Sequence, residues 1–332
     1  MRFANHTPLP AILIPNAEED DRMTSLFLAA QTCRIEGSRL VLASAQRPLL
    51  LDPSLPYPHD GMLRKATASV CATGFVYPRE GRAREALTTL RVGERDAAIL
   101  ALGPRLWQRG AAGGLSASAP VPFDRVEMDW QHAFGGTEDE PARVVDMDGE
   151  EAFLPAHESG SPFNLEGKGF HTEAARAVGQ PLPQLEDPAQ RIQRWDDRPE
   201  PVCFAPYPLW GGLRSTYVWH DGQLDPGGAS KLGSRAAPRT TFEALPSGTR
   251  IALAGMRPGG EALVFEVPPP PVAVDVAVGA RVERVLPHLD AIDIDAEAGE
   301  VRLLWRAEAI YELIQYELRR ARLVATSEFP PA

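Results

Sequence analysis

Residues 87–102 read LTTLRVGERDAAILAL. Two runs rich in apolar and β-branched residues, 87–92 and 97–102, flank the polar turn Gly93-Glu94-Arg95-Asp96. A glycine-bearing polar turn between such runs predicts a β-hairpin. This one ends at Gly103-Pro104, with Trp107 as its anchor. The same signature recurs on both sides. Upstream, 25–32 (SLFLAAQT) and 39–43 (RLVLA) turn about Glu36-Gly37-Ser38, a short strand is expected at 49–51, and 66–77 (ATASVCATGFVY) is a further strand. Downstream, strands are expected at 240–244, 250–254 and 262–267, with Gly248 and Gly259-Gly260 in the turns. Residues 272–278 and 281–286 pair about Gly279. The last hairpin joins 285–294 to 301–306 (VRLLWR) through a turn at 295–299.

The fold class that follows is mainly β: two packed, mostly antiparallel sheets in a sandwich-like arrangement. An N-terminal β-meander half (1–108) and a C-terminal β half (239–332) flank a loop-rich central region (109–238). The whole forms one integrated domain over 20–325. Two helices are expected, a short amphipathic one at 188–195 (PAQRIQRW) and a C-terminal one over 308–324. In the latter, Tyr311, Leu313, Ile314 and Leu318 keep a helical period.

Composition bounds the rest. The chain has 332 residues, enough to bury a large core, and its 32 prolines and 28 glycines favour ordered turns over long helices. The net charge of -11 opposes nucleic acid or an anionic membrane as partner, because both require a basic face. Cys33, Cys71 and Cys203 are widely spaced, which fits a reducing compartment and neither a disulfide framework nor a zinc site. No apolar run reads as a signal peptide or membrane span, so a cytoplasmic protein is expected.

The central region holds the densest motif, PVPFDRVEMDWQHAFGG at 120–136, followed by FNLEGKGF at 163–170. His132 with Asp129 has the makings of a general base and its orienting acid, but no nucleophile stands in a recognisable elbow beside them. The glycines have neither of the contexts that cradle phosphate. Seven acids lie between Glu138 and Glu151, and Asp146-Met147-Asp148-Gly149-Glu150 is like a fragment of a calcium loop. The position that should supply the closing bidentate acid is His157, so the acidic stretch is expected to be a solvated loop. His157, His171 and His220 lack zinc-enzyme spacing. A structural hub is therefore expected, with no cofactor and no metal: Phe123, Trp130, Phe134, Gly135 and Gly136 form a buried elbow between the β halves and the long loops.

The motifs, taken in order, resemble a domain-of-unknown-function family with an AFGG and then an N-P-x-G-x-G signature. Its genes commonly stand beside those for type VI secretion spikes, PAAR tips and toxic effectors. The resemblance runs from Gln46-Arg47-Pro48-Leu49 through Ala133-Phe134-Gly135-Gly136 to Leu304-Trp305-Arg306. Its motif residues here are Phe123, Trp130, Ala133, Phe134, Gly135, Gly136, Asn164, Gly167, Gly169, Trp210, Tyr217 and Trp305. Leu165 stands where the family has proline, Gln184 where it has asparagine, Cys203-Phe204-Ala205 where it has G-F-G, and Val218 where it has aspartate. The resemblance implies a non-enzymatic adaptor or chaperone that binds a secretion effector and helps load it onto the spike and its PAAR tip. Two alternatives are a hydrolase, carbohydrate-active for example, with a site around Asp129, His132 and Glu138, and a structural component of the spike tip.

Overall fold

The strands expected at 25–32 and 301–306 are parts of longer ones, and they pair with each other. In the computed structural model, Arg22–Glu36 and Glu300–Glu312 run antiparallel in an unbroken register from Arg34↔Glu300 to Arg22↔Glu312. The structure describes the whole chain except residues 18–21, 56, 64, 66, 111–112, 148–149, 209–218, 221–222, 225–232, 279, 313–318 and 327–332.

This pair is the centre of a seven-stranded sheet. Ala11–Ala17 and Arg39–Leu42 both pair with Arg22–Glu36, and His288–Asp295 pairs with Glu300–Glu312. Ala68–Thr73 runs parallel to His288–Asp295 and carries Thr241–Phe242 on its other edge. A five-stranded sheet holds the hairpin Glu85–Val92 and Arg95–Leu102, then Arg250–Ala254 and Leu263–Glu266, with Leu185–Glu186 at the far edge. A four-stranded sheet joins Arg2–Asn5, Arg319–Ala325, Val272–Val278 and Arg281–Val285. The protein is thus mainly β with several mostly antiparallel sheets, as the alternation predicts. Residues 1–108 are not one continuous meander, because their strands are shared among all three sheets. Among the described residues no helix is long and apolar enough to cross a membrane.

The main apolar core draws on all three sheets, for example Phe27, Ile99, Phe265, Val274 and Trp305. Residues 301–307 are buried without alternation, which means that both faces of this strand are covered. One face, with Val301, Leu303, Trp305 and Ala307, joins that core. The other carries Leu304, packed on Leu26, Leu28 and Ala291, together with Arg302 and Arg306.

Those arginines belong to a buried charge cluster. Asp60, from the loop after Arg39–Leu42, is paired with both Arg235 and Arg302. Asp293 binds Arg235 at 2.7 Å and Arg302 at 3.0 Å. Asp290 binds Arg306 at 2.9 Å and Lys65 at 3.1 Å. Asp60 also accepts from the Leu50 N–H at 2.7 Å. Charges this deep persist only when paired and hydrogen-bonded, so the cluster ties the 43–67 loop to the sheet.

Three expectations are corrected. Residues 49–51 form no strand: Leu50 exchanges its backbone bonds with Asp60, while the Gln46 side chain bonds Thr32 as a strand neighbour would. Residues 188–195 form no α-helix. Their amides go to carboxylates instead, Ile192 N–H to Glu186 at 3.3 Å and Gln193 and Arg194 N–H to Asp197 at 2.8 Å. Local side-chain acceptors compete with helical carbonyls in this way. A single short helix turn, Ala174–Ala177, lies nearby. In place of the helix over 308–324, Glu300–Glu312 continues as strand and Arg319–Ala325 is another. The residues between, with Leu313, Ile314 and Leu318, lie outside the described residues. Sheet pairing with Arg22–Glu36 overrides a weak helical period.

Candidate functional site

The two glycine-bearing runs interlock. Phe134–Gly135 pairs in parallel with Lys168–Gly169, Lys168 N–H donates to Ala133 at 3.0 Å, and Phe170 N–H to Gly135 at 2.9 Å. Asn164 is the clamp. Its side-chain amide donates to the carbonyls of Trp130 at 2.7 Å and Phe134 at 3.1 Å, and its own carbonyl accepts from Gly136 N–H at 2.9 Å.

The glycines are required by approach as well as by dihedral angle. A Cβ on Gly135 would stand 2.1 Å from the Asn164 carbonyl oxygen, and one on Gly136 would stand 2.8 Å from that of Gly167. Gly135 has φ +153° and Gly136 φ +108°, where side chains are strained. Asn164→Ala removes the amide donor from the Phe134 carbonyl and leaves that of Trp130 with only the Ala133 N–H at 3.3 Å. The expected cost is about 1–3 kcal/mol, read as a lowered urea midpoint. An unchanged midpoint would show that the amide is not the clamp.

Aromatic packing fixes this knot to the core. Trp130 is buried, its indole N–H reaches the carbonyls of Ala205 at 3.2 Å and Pro206 at 2.9 Å, and its ring meets Tyr207 at 4.5 Å between centroids. The Tyr207 hydroxyl donates to Phe163 at 2.7 Å. Ala133 and Trp130 enter the main core, while Phe134 belongs to a second cluster with Trp107, Ala177, Leu182 and Ile192. Phe123 is buried and bonds Ala83 in both directions.

The motif residues Trp130, Ala133, Phe134, Gly135, Gly136, Asn164, Gly167 and Gly169 are therefore brought together in one region, whereas Phe123 pairs with Ala83. Trp305 is buried elsewhere, in the seven-stranded sheet, with its indole N–H on Gln31 at 3.1 Å. Trp210 and Tyr217 lie outside the described residues. Tyr207 and the buried Arg105–Glu186 pair were missed by sequence reasoning. Their only signal is that Tyr207 lies within 204–210 (FAPYPLW) and Glu186 within 182–186 (LPQLE).

The titratable groups here serve as anchors. Asp129 accepts both the His132 N–H at 2.9 Å and its ring nitrogen Nδ1 at 2.5 Å, closing a turn. Glu138 does not face His132. It accepts from His171 Nδ1 at 2.6 Å and from the Thr172 N–H and hydroxyl at 2.9 Å each. Burial by itself raises the Glu138 carboxyl, but these bonds together hold it below the ordinary range. A groove of about 700 Å³ opens beside them, lined by Gly135, Gly136, Glu138, Lys168, His171 and Arg176 among others. Burial raises the thiols of Cys33, to about 12, and Cys203, which leaves both poor nucleophiles. Among the described residues no group of three or more His, Cys, Asp or Glu side chains is placed to hold a metal.

From the hub a two-stranded ribbon extends. Thr137–Glu140 pairs with His157–Gly160 and Arg143–Met147 with Glu150–Leu154, in one register from Thr137↔Gly160 to Met147↔Glu150. The acidic stretch expected as a solvated loop is therefore mostly antiparallel strand; Asp148 and Gly149 lie outside the described residues.

A family model described as an uncharacterized protein conserved in bacteria, DUF2169, matches residues 22–306. No curated protein and no solved structure matches the chain.

Proposed function

The chain belongs to the DUF2169 family of uncharacterized proteins conserved in bacteria, and on that footing, with the resemblance set out above, we propose that it is a non-enzymatic adaptor or chaperone of type VI secretion. It binds an effector and helps load it onto the spike and its PAAR tip in the cytoplasm, without nucleic acid or membrane as partner. The observation that carries this reading is the contrast at the hub. Buried polar groups there hold backbone, as Asn164 and Trp130 do, while the ribbon beside them leaves Val144 and Phe153 61% and 68% exposed. A binding protein needs a rigid base and exposed apolar anchors more than it needs a nucleophile.

Against the hydrolase alternative stands the use of its three residues: Asp129 and His132 close a turn, and Glu138 anchors the 171–172 backbone. The spike-component alternative differs in stoichiometry, since a loader leaves before assembly and a component stays at fixed copy number. The test is co-purification of the full chain with the product of an adjacent effector gene. Capture, with loss of effector stability and spike loading on deletion of the adaptor gene, is expected. Effector level and loading unchanged by deletion would overturn the proposal.

A further inference from the structure

The ribbon at residues 137–160 is unusual in three respects. It is two-stranded along its whole described length, so the outer edges of both strands carry backbone groups with no strand partner among the described residues. Near the hub the Arg176 guanidinium caps the Asp139 carbonyl at 2.9 Å, which leaves the 143–147 and 150–154 part as the edge for a partner. Two-stranded ribbons are marginal in water, and open edges are templates for an added strand. Its register sets Val144 directly opposite Phe153, and both are exposed. A cross-strand apolar pair of this kind stabilises most when something covers it.

Charge says what kind of partner would cover it. Residues 137–160 contain eight carboxylates (Glu138, Asp139, Glu140, Asp146, Asp148, Glu150, Glu151 and Glu158) and one arginine, Arg143. Eight acids less one base leaves -7 of the chain's -11 on this segment. Glu138 and Glu140 already face Arg176, at 3.6 and 3.2 Å, so the acids left for a partner are the outer ones. The register also places acids opposite each other, Asp139 against Glu158 and Asp146 against Glu151. Like charges opposite one another destabilise a ribbon unless a cation comes between them or alongside. A second copy of the chain would bring a ribbon of the same sign and is disfavoured.

We propose that the ribbon is the partner-docking arm, and that it accepts an extended basic protein segment as a third strand, seating an apolar side chain on Val144 and Phe153 and lysines or arginines against the flanking acids. Strand addition supplies backbone bonds, and the apolar and charged positions select the sequence. This assignment rests on the adaptor reading for its biological partner, which would be a basic segment of the effector.

The test uses the full chain and a labelled synthetic peptide of alternating lysine and valine, with its glutamate-for-lysine counterpart, read by fluorescence anisotropy at physiological salt. The wild-type chain is expected to bind the lysine peptide and not the glutamate one. The variant Val144→Ser with Phe153→Ser, both exposed in the folded protein, should weaken binding about tenfold or more at the same salt. Circular dichroism should show no loss of strand. Equal affinity of the variant, or equal binding of both peptides, overturns the arm, as does a dimer of the wild-type chain that the same variant abolishes. Co-purification with the adjacent-gene effector separates the two readings. Capture by wild type and variant alike defeats the arm alone, whereas no capture by wild type defeats the adaptor.

Discussion

Gly135→Ala is expected to lower stability by more than any other alanine substitution at a surface-remote glycine of the hub, and to abolish partner binding with it. The added methyl would stand 2.1 Å from the Asn164 carbonyl oxygen, a backbone atom held in place by its own bond from Gly136 N–H. No side-chain rotation relieves that contact, so the 133–136 and 163–170 runs must separate. Separation breaks the bonds from Lys168, Phe170 and Asn164 that join them. An unfavourable backbone angle alone costs about 1–3 kcal/mol, and the forced separation adds to it. Gly248→Ala is the control: φ is +84° there, but no atom lies within 4 Å of the added carbon. Urea unfolding of the two variants measures the difference. A Gly135→Ala midpoint no lower than that of Gly248→Ala would mean that the knot yields, and that the hub is not the rigid base inferred for it. Intact folding with lost binding would make the knot itself a contact surface.

Asp60→Ala is the second large effect, expected to cost about 3–5 kcal/mol, the range for removing one partner of a buried ion pair. Asp60 is shared between two guanidiniums, those of Arg235 and Arg302, and accepts from the Leu50 amide. Without it Asp293 is left to both arginines. Burial acting alone would raise the Asp60 carboxyl, but the charges of Arg235 and Arg302 outweigh it and hold the group below its ordinary value. The sign of the pH dependence follows. A folded-state value below the unfolded one makes the stabilisation complete above the unfolded value of about 4. It is then lost as pH falls from there through the lower folded value. Wild type should therefore lose stability on acidification through that window, and Asp60→Ala should lose less. Parallel slopes of stability against pH for the two proteins would rule out the linkage.

Local readings succeeded where the physical signal is local. The hairpin at Gly93 and the strands Arg250–Ala254 and Val272–Val278 lie where period-two alternation and glycine turns place them. The AFGG run was legible as a hub because two adjacent glycines among aromatics mark a close backbone approach. What it approaches was not legible, since Asn164 lies 29 residues beyond Gly135 and its amide bonds leave no periodic trace. The acidic stretch misled because charge suggests a solvated loop, whereas pairing of 137–147 with 150–160 forms a ribbon that needs no apolar face of its own. The helix expected at 188–195 failed for a similar reason: Glu186 and Asp197 capture the amides that a helix would have used.

By itself the sequence determined the element type over most of the chain, because alternation and turn chemistry act over a few residues and survive any tertiary arrangement. The tertiary structure alone decided the partners. Arg22–Glu36 lies against Glu300–Glu312, and Ala68–Thr73 runs parallel to His288–Asp295, pairings that join the two ends of the chain. The same pairing turned 308–312 from expected helix into strand. It also assembled the buried charges, since Asp60 and Lys65, Arg235, and Asp290, Asp293, Arg302 and Arg306 come from three separate segments, with Asp60 and Arg306 246 residues apart. Each looks like an ordinary surface residue in sequence. Only when the sheet is covered on both faces does burial force each charge to find its counterpart, and that requirement exists in three dimensions alone.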